Sequence, residues 1–448
     1  MKKFLAVLLA LAMLLSLAAC GKKADKEDKK EQGKEEEQEQ VETVQWGEFK
    51  CAATQKTELL TNTGSTITIA PLDYENEYAA IHTTFLNNTE STKYLSVVAF
   101  AVNGMMFNVD LYFSADSGQE AFDMFGVSQN ELRAKGIFEI DIVDLMFSVC
   151  DEDGNVEETL SCRIESDAAE NYVADPQAYF TFINSQEAQS EGGYNVAASV
   201  DERLSLGGEI YLESKVYVEN AGNEYLLLEV VNETAEMCYM NVSANMVNSM
   251  VAEGAGESIT VFPGAKAILS VDMEWALPEA KRRAFGVEQI SDISLYFESY
   301  SCLEDGSIDW EAESQFYNIR YTLPETSATP DMSGTVLYEG ERLRVTAKAP
   351  VDVVVDGMGE STYVYLIFEN VGQTDLSIQE NGAKDTVVNG DEGKEIYFSN
   401  PYYLYTGDYT ICHVNVDNME GESVFLPLLI NDYEDSSIRW EVDLTIPF

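Results

Sequence analysis

Residues 128–147 read SQNELRAKGIFEIDIVDLMF, and residues 278–297 read PEAKRRAFGVEQISDISLYF, so one pattern recurs at a constant interval of 150 residues. Each copy begins with helix-forming residues, meets a glycine, and continues as a run in which apolar and polar residues alternate. A glycine after a short helical run ends a helix, and alternation with period two is typical of a strand with one buried face. The repeat therefore predicts a helix, a turn and a strand in two places.

The helical part of each copy carries its own start and stop signals. Ser128 and Glu131 form a capping box, in which each side chain satisfies a backbone N–H at the start of the helix. In the second copy Pro278 suits the first helical position. A backbone N–H at that position has no partner within the helix, so its absence in proline costs no hydrogen bond. Gly136 and Gly286 are expected to take the left-handed conformation that ends the helix.

The strand that follows is predicted to lead into a hairpin in both copies. Asp153-Gly154 and Asp305-Gly306 are turn dipeptides, and the last strands are expected to end near Ile164 and Ile319. Asp151, Asn155 and their acidic neighbours could be calcium ligands, but the glycine does not sit where an EF-hand-like loop needs it. A hairpin turn accounts for the same residues more simply.

A second motif occurs three times, as an alternating strand that runs into Asn87, Asn232 or Asn370. We expect each asparagine to take a positive φ and to bond its own backbone, as asparagine does in turns. Three copies at wide spacing indicate repeated domains and not a short solenoid repeat. The third copy lacks the helix–glycine pattern and is predicted to be divergent.

These patterns predict a mainly β chain of tandem β-sandwich domains, with short helices in the first two. Val, Ile, Tyr and Phe are frequent, turn signals are closely spaced, and sustained helical periodicity is weak. Three domains are expected, and the second repeats the first. Their predicted bounds are 46–166, 195–323 and 334–448, with linkers at 167–194 and 324–333.

The N-terminus has the form of an export signal. Lys2 and Lys3 precede an apolar run, 4–17, that is too short to span a bilayer. The residues Leu-Ala-Ala-Cys at 17–20 resemble the lipobox of bacterial lipoproteins. The resemblance implies a signal peptide at residues 1–19, a lipid on Cys20, and attachment to the outer face of the cell membrane. Residues 20–45 are almost purely charged or polar, which predicts a disordered tether.

Charge limits the range of partners. The chain has 79 acidic and 27 basic residues, a formal net charge of −52. Such a surface repels phosphate backbones, so no nucleic-acid partner is expected. The domain layout resembles the immunoglobulin-like modules of Gram-positive surface proteins. That resemblance implies an architecture and an unknown extracellular protein or carbohydrate as partner.

Signals for catalysis, metals and cofactors are mostly missing from the sequence. His82 and His413 fall on predicted strands in different domains, so neither a histidine zinc site nor a catalytic triad can be drawn. No G-x-S-x-G or S-x-x-K motif occurs. We therefore predict no enzymatic activity and no cofactor. The six cysteines after Cys20 show no paired spacing and are predicted to be mostly buried, free thiols.

Aromatic residues supply the remaining candidate site. Tyrosines cluster near Pro401 in the third domain, where exposed rings could contact a sugar or a protein. The tryptophans are scattered and predicted to lie in cores or between domains. The cluster consists of Tyr402, Tyr403, Tyr405 and Tyr409.

The leading hypothesis is a lipid-anchored surface protein that acts as a non-catalytic binding, adhesion or spacer module. Two alternatives stay open. One is a solute-binding lipoprotein of a transporter, although its long amphipathic helices are missing. The other is a cell-wall or carbohydrate-active enzyme, which would need two carboxylates converging in one cleft.

Overall fold

The computed structural model describes most of the chain beyond the N-terminal segment. The described residues are 50–51, 56–75, 78–166, 169–324, 329–355, 359–381, 384, 387–388, 391–392, 398, 403–416, 423–435 and 437–448. Strands dominate these residues, and the five α-helices among them have at most seven residues. The prediction of a mainly β fold with several sheets is confirmed.

The first segment of the fold, β1 to β12, contains two main sheets and one helix. Its elements are β1 (Lys50–Cys51), β2 (Thr57–Leu60), β3 (Thr66–Ile69), β4 (Asp73–Glu75), β5 (Tyr78–Leu86), β6 (Lys93–Val102), β7 (Met105–Phe107), β8 (Tyr112–Ala115), β9 (Glu120–Ser128), α1 (Gln129–Ala134), β10 (Glu139–Ile140), β11 (Ile142–Cys150) and β12 (Val156–Glu165). One sheet has the order β2-β3-β5-β4, with β9 on β5. The other begins β12-β11-β6-β7, with β8 on β6.

The second segment, β13 to β21, is reached through two helices that sequence patterns did not predict. They are α2 (Ala178–Ile183) and α3 (Gln186–Gly192), after a 3₁₀ turn at Ala169–Asn171. The segment then contains β13 (Tyr194–Gly207), β14 (Ile210–Asn220), β15 (Asn223–Asn232), β16 (Cys238–Val247), β17 (Met250–Val251), β18 (Gly256–Val261), β19 (Lys266–Asp272), α4 (Met273–Ala276), α5 (Glu279–Ala284), β20 (Asp292–Ser301) and β21 (Gln315–Thr322). Strands β17-β16-β20-β21 form one sheet, with β18 on β16.

The third segment, β22 to β32, has two sheets and no described helix. Its strands are β22 (Thr335–Glu339), β23 (Leu343–Ala347), β24 (Val351–Val355), β25 (Gly359–Asn370), β26 (Leu376–Glu380), β27 (Val387–Val388), β28 (Asp391–Glu392), β29 (Tyr403–Leu404), β30 (Tyr409–Asn415), β31 (Ser423–Asp432) and β32 (Arg439–Pro447). One sheet has the order β22-β23-β25-β24, with β30 on β25. The other has the order β28-β27-β31-β26-β29, with β32 on β31.

The three segments are joined more closely than a flexible string of domains. A nine-stranded sheet runs from β12 through β7 of the first segment into β19, β15, β14 and β13 of the second. The two parts join where Met105 of β7 pairs with Lys266 of β19. At the next junction the Phe285 ring lies 6.0 Å from the ring of Tyr365 and 5.1 Å from the Lys348 ammonium. Gly47–Phe448 accordingly forms one compact unit, and the individual domain bounds stay predictions.

The repeated helix–glycine–strand pattern is present in both copies. The Ser128–Glu131 capping box forms as predicted, and Gly136 and Gly286 have φ of 75° and 64°. Pro278 is the N-cap residue and not the first helical residue, so that prediction was wrong by one position. The inward residues of the following strands are at most 1 % exposed; they are Val143, Leu145 and Phe147 in β11 and Ile293, Leu295 and Phe297 in β20.

The three repeated asparagines confirm one half of the prediction. Each Oδ1 accepts the backbone N–H two residues further along the chain, at 3.0 Å, as asparagine does in turns. The predicted positive φ was wrong. Asn87, Asn232 and Asn370 are buried, and none has a positive φ. In each case the side-chain Nδ2 donates to two backbone carbonyls. The distances are 2.8 and 2.8 Å for Asn87, 2.8 and 3.0 Å for Asn232, and 2.9 and 3.1 Å for Asn370. The side chain thus ties the end of its own strand to the connection that follows and to the end of a second strand, β8, β18 or β29. This role needs an amide and not a left-handed backbone.

Five cysteines have described side chains, and all of them lie within the fold. Cys150, Cys162, Cys238 and Cys302 are free thiols, and Cys150 and Cys238 are buried, in line with the prediction. Cys412 is buried as well. Cys20 lies outside the described residues. Among the helices that the structure describes, none has the length and apolar character needed to cross a bilayer.

Candidate binding surface

The tyrosines singled out from the sequence do not form one described surface. Tyr402 lies outside the described residues, and only the backbone of Tyr403 is described, in β29. Tyr405 is 63 % exposed, whereas Tyr409 is half-buried in β30 and packs against the core. A ligand contact at these residues stays a prediction.

A different set of aromatic side chains meets on the outer face of the second segment. We call this set the aromatic platform. It comprises Tyr239, Tyr296, Tyr300, Trp310 and Phe316. Tyr239 comes from β16, Tyr296 and Tyr300 come from β20, Phe316 comes from β21, and Trp310 lies in the connection between β20 and β21. Three neighbouring strands and one loop therefore supply the platform.

Ring contacts hold the platform together. The rings of Tyr296 and Phe316 stack at a centroid distance of 5.6 Å, and Trp310 meets Tyr300 edge-on at 5.0 Å. Phe316 and Tyr239 lie 6.5 and 6.4 Å from the Tyr300 ring. Separations of this size are typical of favourable aromatic pairs. Tyr300 is the centre of the platform, since three other rings contact it.

Strand geometry places these rings together. Because side chains alternate across a strand, Tyr296, Glu298 and Tyr300 point outward while Phe297 is buried. Tyr239 is directly opposite Tyr300 in the ladder, and Glu298 is opposite Phe316. Cross-strand neighbours of this kind lie within side-chain reach.

Polar groups lie between the rings. Asn241 Nδ2 donates to Glu298 Oε1 at 2.9 Å, and the Tyr300 hydroxyl donates to Glu298 Oε2 at 3.3 Å. Loss of solvent and then the Glu298 charge raise the pKa of Tyr300 and of Tyr296. Both phenols therefore stay protonated at neutral pH, and the face offers aromatic rings together with hydrogen-bonding groups.

The platform is exposed to solvent. Trp310 is 70 % exposed and Phe316 is 52 % exposed. Trp275, on α4 and away from the platform, is 71 % exposed. Both tryptophans contradict the prediction that they lie in cores or between domains. Trp310 and Phe316 both contact the ring of Tyr300, so the exposed apolar groups lie side by side.

The loop that carries Trp310 is held in place by several bonds. Asp305 accepts hydrogen bonds from the Ser307 backbone and hydroxyl, and Asp309 Oδ1 accepts from the backbone N–H of Glu311 at 3.0 Å. The Thr159 hydroxyl, on β12 of the first segment, donates to the Glu304 carbonyl at 3.0 Å. Trp310 is therefore presented by a loop that is ordered before any ligand arrives.

The two histidines and the acidic turn at Asp151, which the sequence also offered as candidates, have structural roles or lie apart. His82 is exposed on β5, and His413 stacks on Tyr363 at 4.5 Å, so the two histidines serve no common site. Asp151 accepts the backbone N–H groups of Asp153 and Asn155, at 2.9 and 2.8 Å, as the hairpin turn requires. Within the described part of the chain no group of three or more His, Cys, Asp or Glu residues could hold a metal ion.

Comparison with known proteins adds little. No family model and no curated protein matches this chain. Solved structures of the exo-chitosanase CsxA of Amycolatopsis orientalis align over 88 % of this chain and 78 % of theirs, at 7 % identity and a TM-score of 0.16. A variant of that enzyme in complex with PNP-beta-D-glucosamine aligns equally poorly, at a TM-score of 0.16. Scores this low carry no argument about this chain.

Proposed function

We propose that this protein is a non-catalytic binding protein, anchored by a lipid to the outer face of the cell membrane. We further propose that its aromatic platform binds an extracellular saccharide. The lipobox-like residues before Cys20 support the anchor, and the polar stretch up to residue 45 supports a tether. The observation that supports the binding site is the exposed Tyr300–Trp310–Phe316 surface on an ordered sheet and loop.

The duplication within the chain strengthens the argument. At an offset of 150 residues, Met146 and Cys150 correspond to Tyr296 and Tyr300. Met146 is 5 % exposed and Cys150 is 8 % exposed. The same strand face is thus buried in one copy and exposed with aromatic residues in the other. Scattered exposed apolar residues are ordinary, but a contiguous aromatic face in place of polar residues indicates a ligand.

A saccharide fits this face because of its two kinds of surface. The C–H groups of a pyranose ring pack flat on an aromatic ring, and its hydroxyls exchange hydrogen bonds with groups such as Asn241 and Glu298. The net charge of −52 and the position of Glu298 oppose an anionic chain. We therefore expect a neutral or cationic saccharide.

The test is binding of residues 47–448 to immobilised neutral, amino-containing and anionic polysaccharides. We expect retention on at least one neutral or amino-containing chain, and a decrease of about tenfold or more in affinity for Trp310→Ala and Tyr300→Ala. Trp275→Ala is the matched control, since it removes an equally exposed tryptophan elsewhere. The proposal fails if no saccharide binds, or if Trp275→Ala weakens binding as much as Trp310→Ala does.

A protein partner is the second candidate, because tyrosine and tryptophan are also enriched at the centres of protein interfaces. Binding to a purified surface protein that Trp310→Ala abolishes, with no binding to any polysaccharide, would favour it.

A further inference from the structure

A cavity of about 380 Å³ lies where the first and second segments meet, away from the aromatic platform. Its wall includes the C-terminal part of α1, the helix α2 and the sheet formed by β14, β15 and β19. The volume falls within the range of small-molecule sites in proteins. Three tyrosines, one lysine and two glutamates are the lining residues that matter here: Tyr179, Tyr194, Tyr225, Lys135, Glu131 and Glu257.

Lys135 brings a cation into this wall. Its Nζ donates to the Met106 carbonyl at 2.7 Å and lies 4.2 Å from the centre of the Phe107 ring. An ammonium has three N–H donors, and one carbonyl uses one of them. Burial lowers the pKa of Lys135 to about 8, while Glu257 and Glu131 act to raise it. The lysine is therefore charged at neutral pH and able to bind a further acceptor.

Tyr179 is a second donor at the same site. It is 2 % exposed, and its hydroxyl has no hydrogen-bond partner among the described residues. Buried hydroxyls are normally partnered, and one that is not indicates a missing ligand or water. Tyr179 and Lys135 both line the cavity, so its wall includes two side-chain donors.

The opposite charge is supplied by glutamates. Glu257 is oriented by Asn108 Nδ2, which donates to Oε1 at 3.2 Å, and by the Ser270 N–H, which donates to Oε2 at 2.7 Å. A carboxylate has about four acceptor positions. Glu257 can therefore hold these two donors and still accept from an ammonium group. The rings of Tyr194 and Tyr225 provide apolar surface beside it.

We propose that this cavity binds a zwitterion of amino-acid size, with its carboxylate at Lys135 and Tyr179, its ammonium at Glu257 and Glu131, and its side chain against the tyrosine rings. A simple anion would meet two carboxylates, and a simple cation would meet the lysine. A zwitterion satisfies both. This site is separate from the saccharide surface and does not depend on it.

The experiment compares three ligands by calorimetric titration of residues 47–448 at pH 7. L-Phenylalanine carries both charges, 2-phenylethylamine lacks the carboxylate, and 3-phenylpropionate lacks the ammonium. We expect phenylalanine to bind about tenfold or more tightly than either analogue, since each lost charge removes charge-assisted hydrogen bonds. Absence of phenylalanine binding at millimolar concentration, or equal binding of either analogue, would overturn the proposal.

Two variants assign the donors. Lys135→Met keeps the length of the side chain and should weaken phenylalanine binding about tenfold or more. Tyr179→Phe removes one hydroxyl, keeps the packing, and should weaken it about three- to tenfold. Lys56→Met is the control, because Lys56 lies at the surface beside Glu58. If Lys135→Met does not fold, Tyr179→Phe decides, and unchanged affinity there overturns the assignment. Trp310→Ala should leave phenylalanine binding intact, which separates this site from the platform.

Discussion

Asn103 and Asn248 have the same left-handed backbone conformation, with φ of 52° and 50°, at corresponding places in the two repeated segments. Asn103 Nδ2 donates to the Glu139 carbonyl and Asn248 Nδ2 to the Gln289 carbonyl, both at 2.7 Å. Each Oδ1 accepts backbone N–H groups from the start of the following strand, at Ile142 or Asp292 among others. One asparagine therefore fastens the loop after each helix–glycine turn to the neighbouring strand.

Replacing this asparagine should destabilise the second segment. Asn248 is 2 % exposed, and Asn248→Ala leaves the Gln289 carbonyl and several N–H groups without their partner. We expect the free energy of unfolding to decrease by about 2–3 kcal/mol. Urea denaturation measures the change, with Asn318→Ala on the exposed face as control. A loss below about 0.5 kcal/mol would show that water replaces these bonds.

The loop that presents Trp310 should depend on one glycine. Gly306 has φ of 79°, and a Cβ there would clash with Cγ1 of Val98 on β6. We expect Gly306→Ala to lower the free energy of unfolding by about 1–3 kcal/mol and to weaken saccharide binding without touching the platform.

A second glycine separates the effect of backbone strain from the effect of the clash with Val98. Gly254 has a similar φ of 71°, but a Cβ there meets nothing within 4 Å. Gly254→Ala should therefore lower stability by about 1 kcal/mol through backbone strain alone and leave saccharide binding unchanged. Saccharide affinity measured by titration compares the two variants. Equal affinity of Gly306→Ala and the unmodified protein would show that the loop position does not matter.

Acidic pH should lower the free energy of unfolding through His413, which lies at the junction of the second and third segments. Burial lowers its pKa, Glu253 acts to raise it, and Lys281 acts to lower it. The unfolded chain then takes up the proton first, near pH 6.5, so the free energy of unfolding decreases as the pH falls below that value. Thermal unfolding at pH 7 and pH 5 should show a smaller decrease for His413→Gln than for the unmodified protein.

The other histidine provides the control for that measurement. His82 is exposed on β5 of the first segment, so His82→Gln replaces a histidine without touching the junction of the second and third segments. The same loss of stability between pH 7 and pH 5 in His413→Gln and His82→Gln would exclude His413 as the cause.

Membrane attachment should depend on a single thiol. Cys20→Ala removes the atom that would carry the lipid, so we expect the protein to lose its lipid label and its membrane attachment. Labelled fatty acid and membrane fractionation measure both. Cys162→Ala is the control, because Cys162 is a free, half-buried thiol within the fold. Full membrane retention of Cys20→Ala would contradict the proposed anchor.

Elements with local signals could be predicted from the amino-acid sequence. The Ser128–Glu131 capping box, the left-handed glycines after both helices and the alternating strands all appear as predicted. Caps, glycine turns and period-two alternation act over a few residues, so a single chain reveals them. The helix α2 was missed because it is short, lacks a side-chain cap and is stabilised by tertiary packing of Tyr179 and Phe182. The helix α3 does carry local signals that could have predicted it, a Ser185 N-cap and a left-handed Gly193 at its end.

Which strand faces are covered depends on packing between distant parts of the chain. Alternation shows that Met146 and Tyr296 lie on the same face of equivalent strands, but not that one is buried and the other is exposed. That difference arises because the connection after β20 folds back near Val98 and Met146, while nothing in the described structure covers Tyr296, Tyr300 and Phe316 to the same extent. Burial of an outward face depends on a partner distant in sequence, which local periodicity cannot encode.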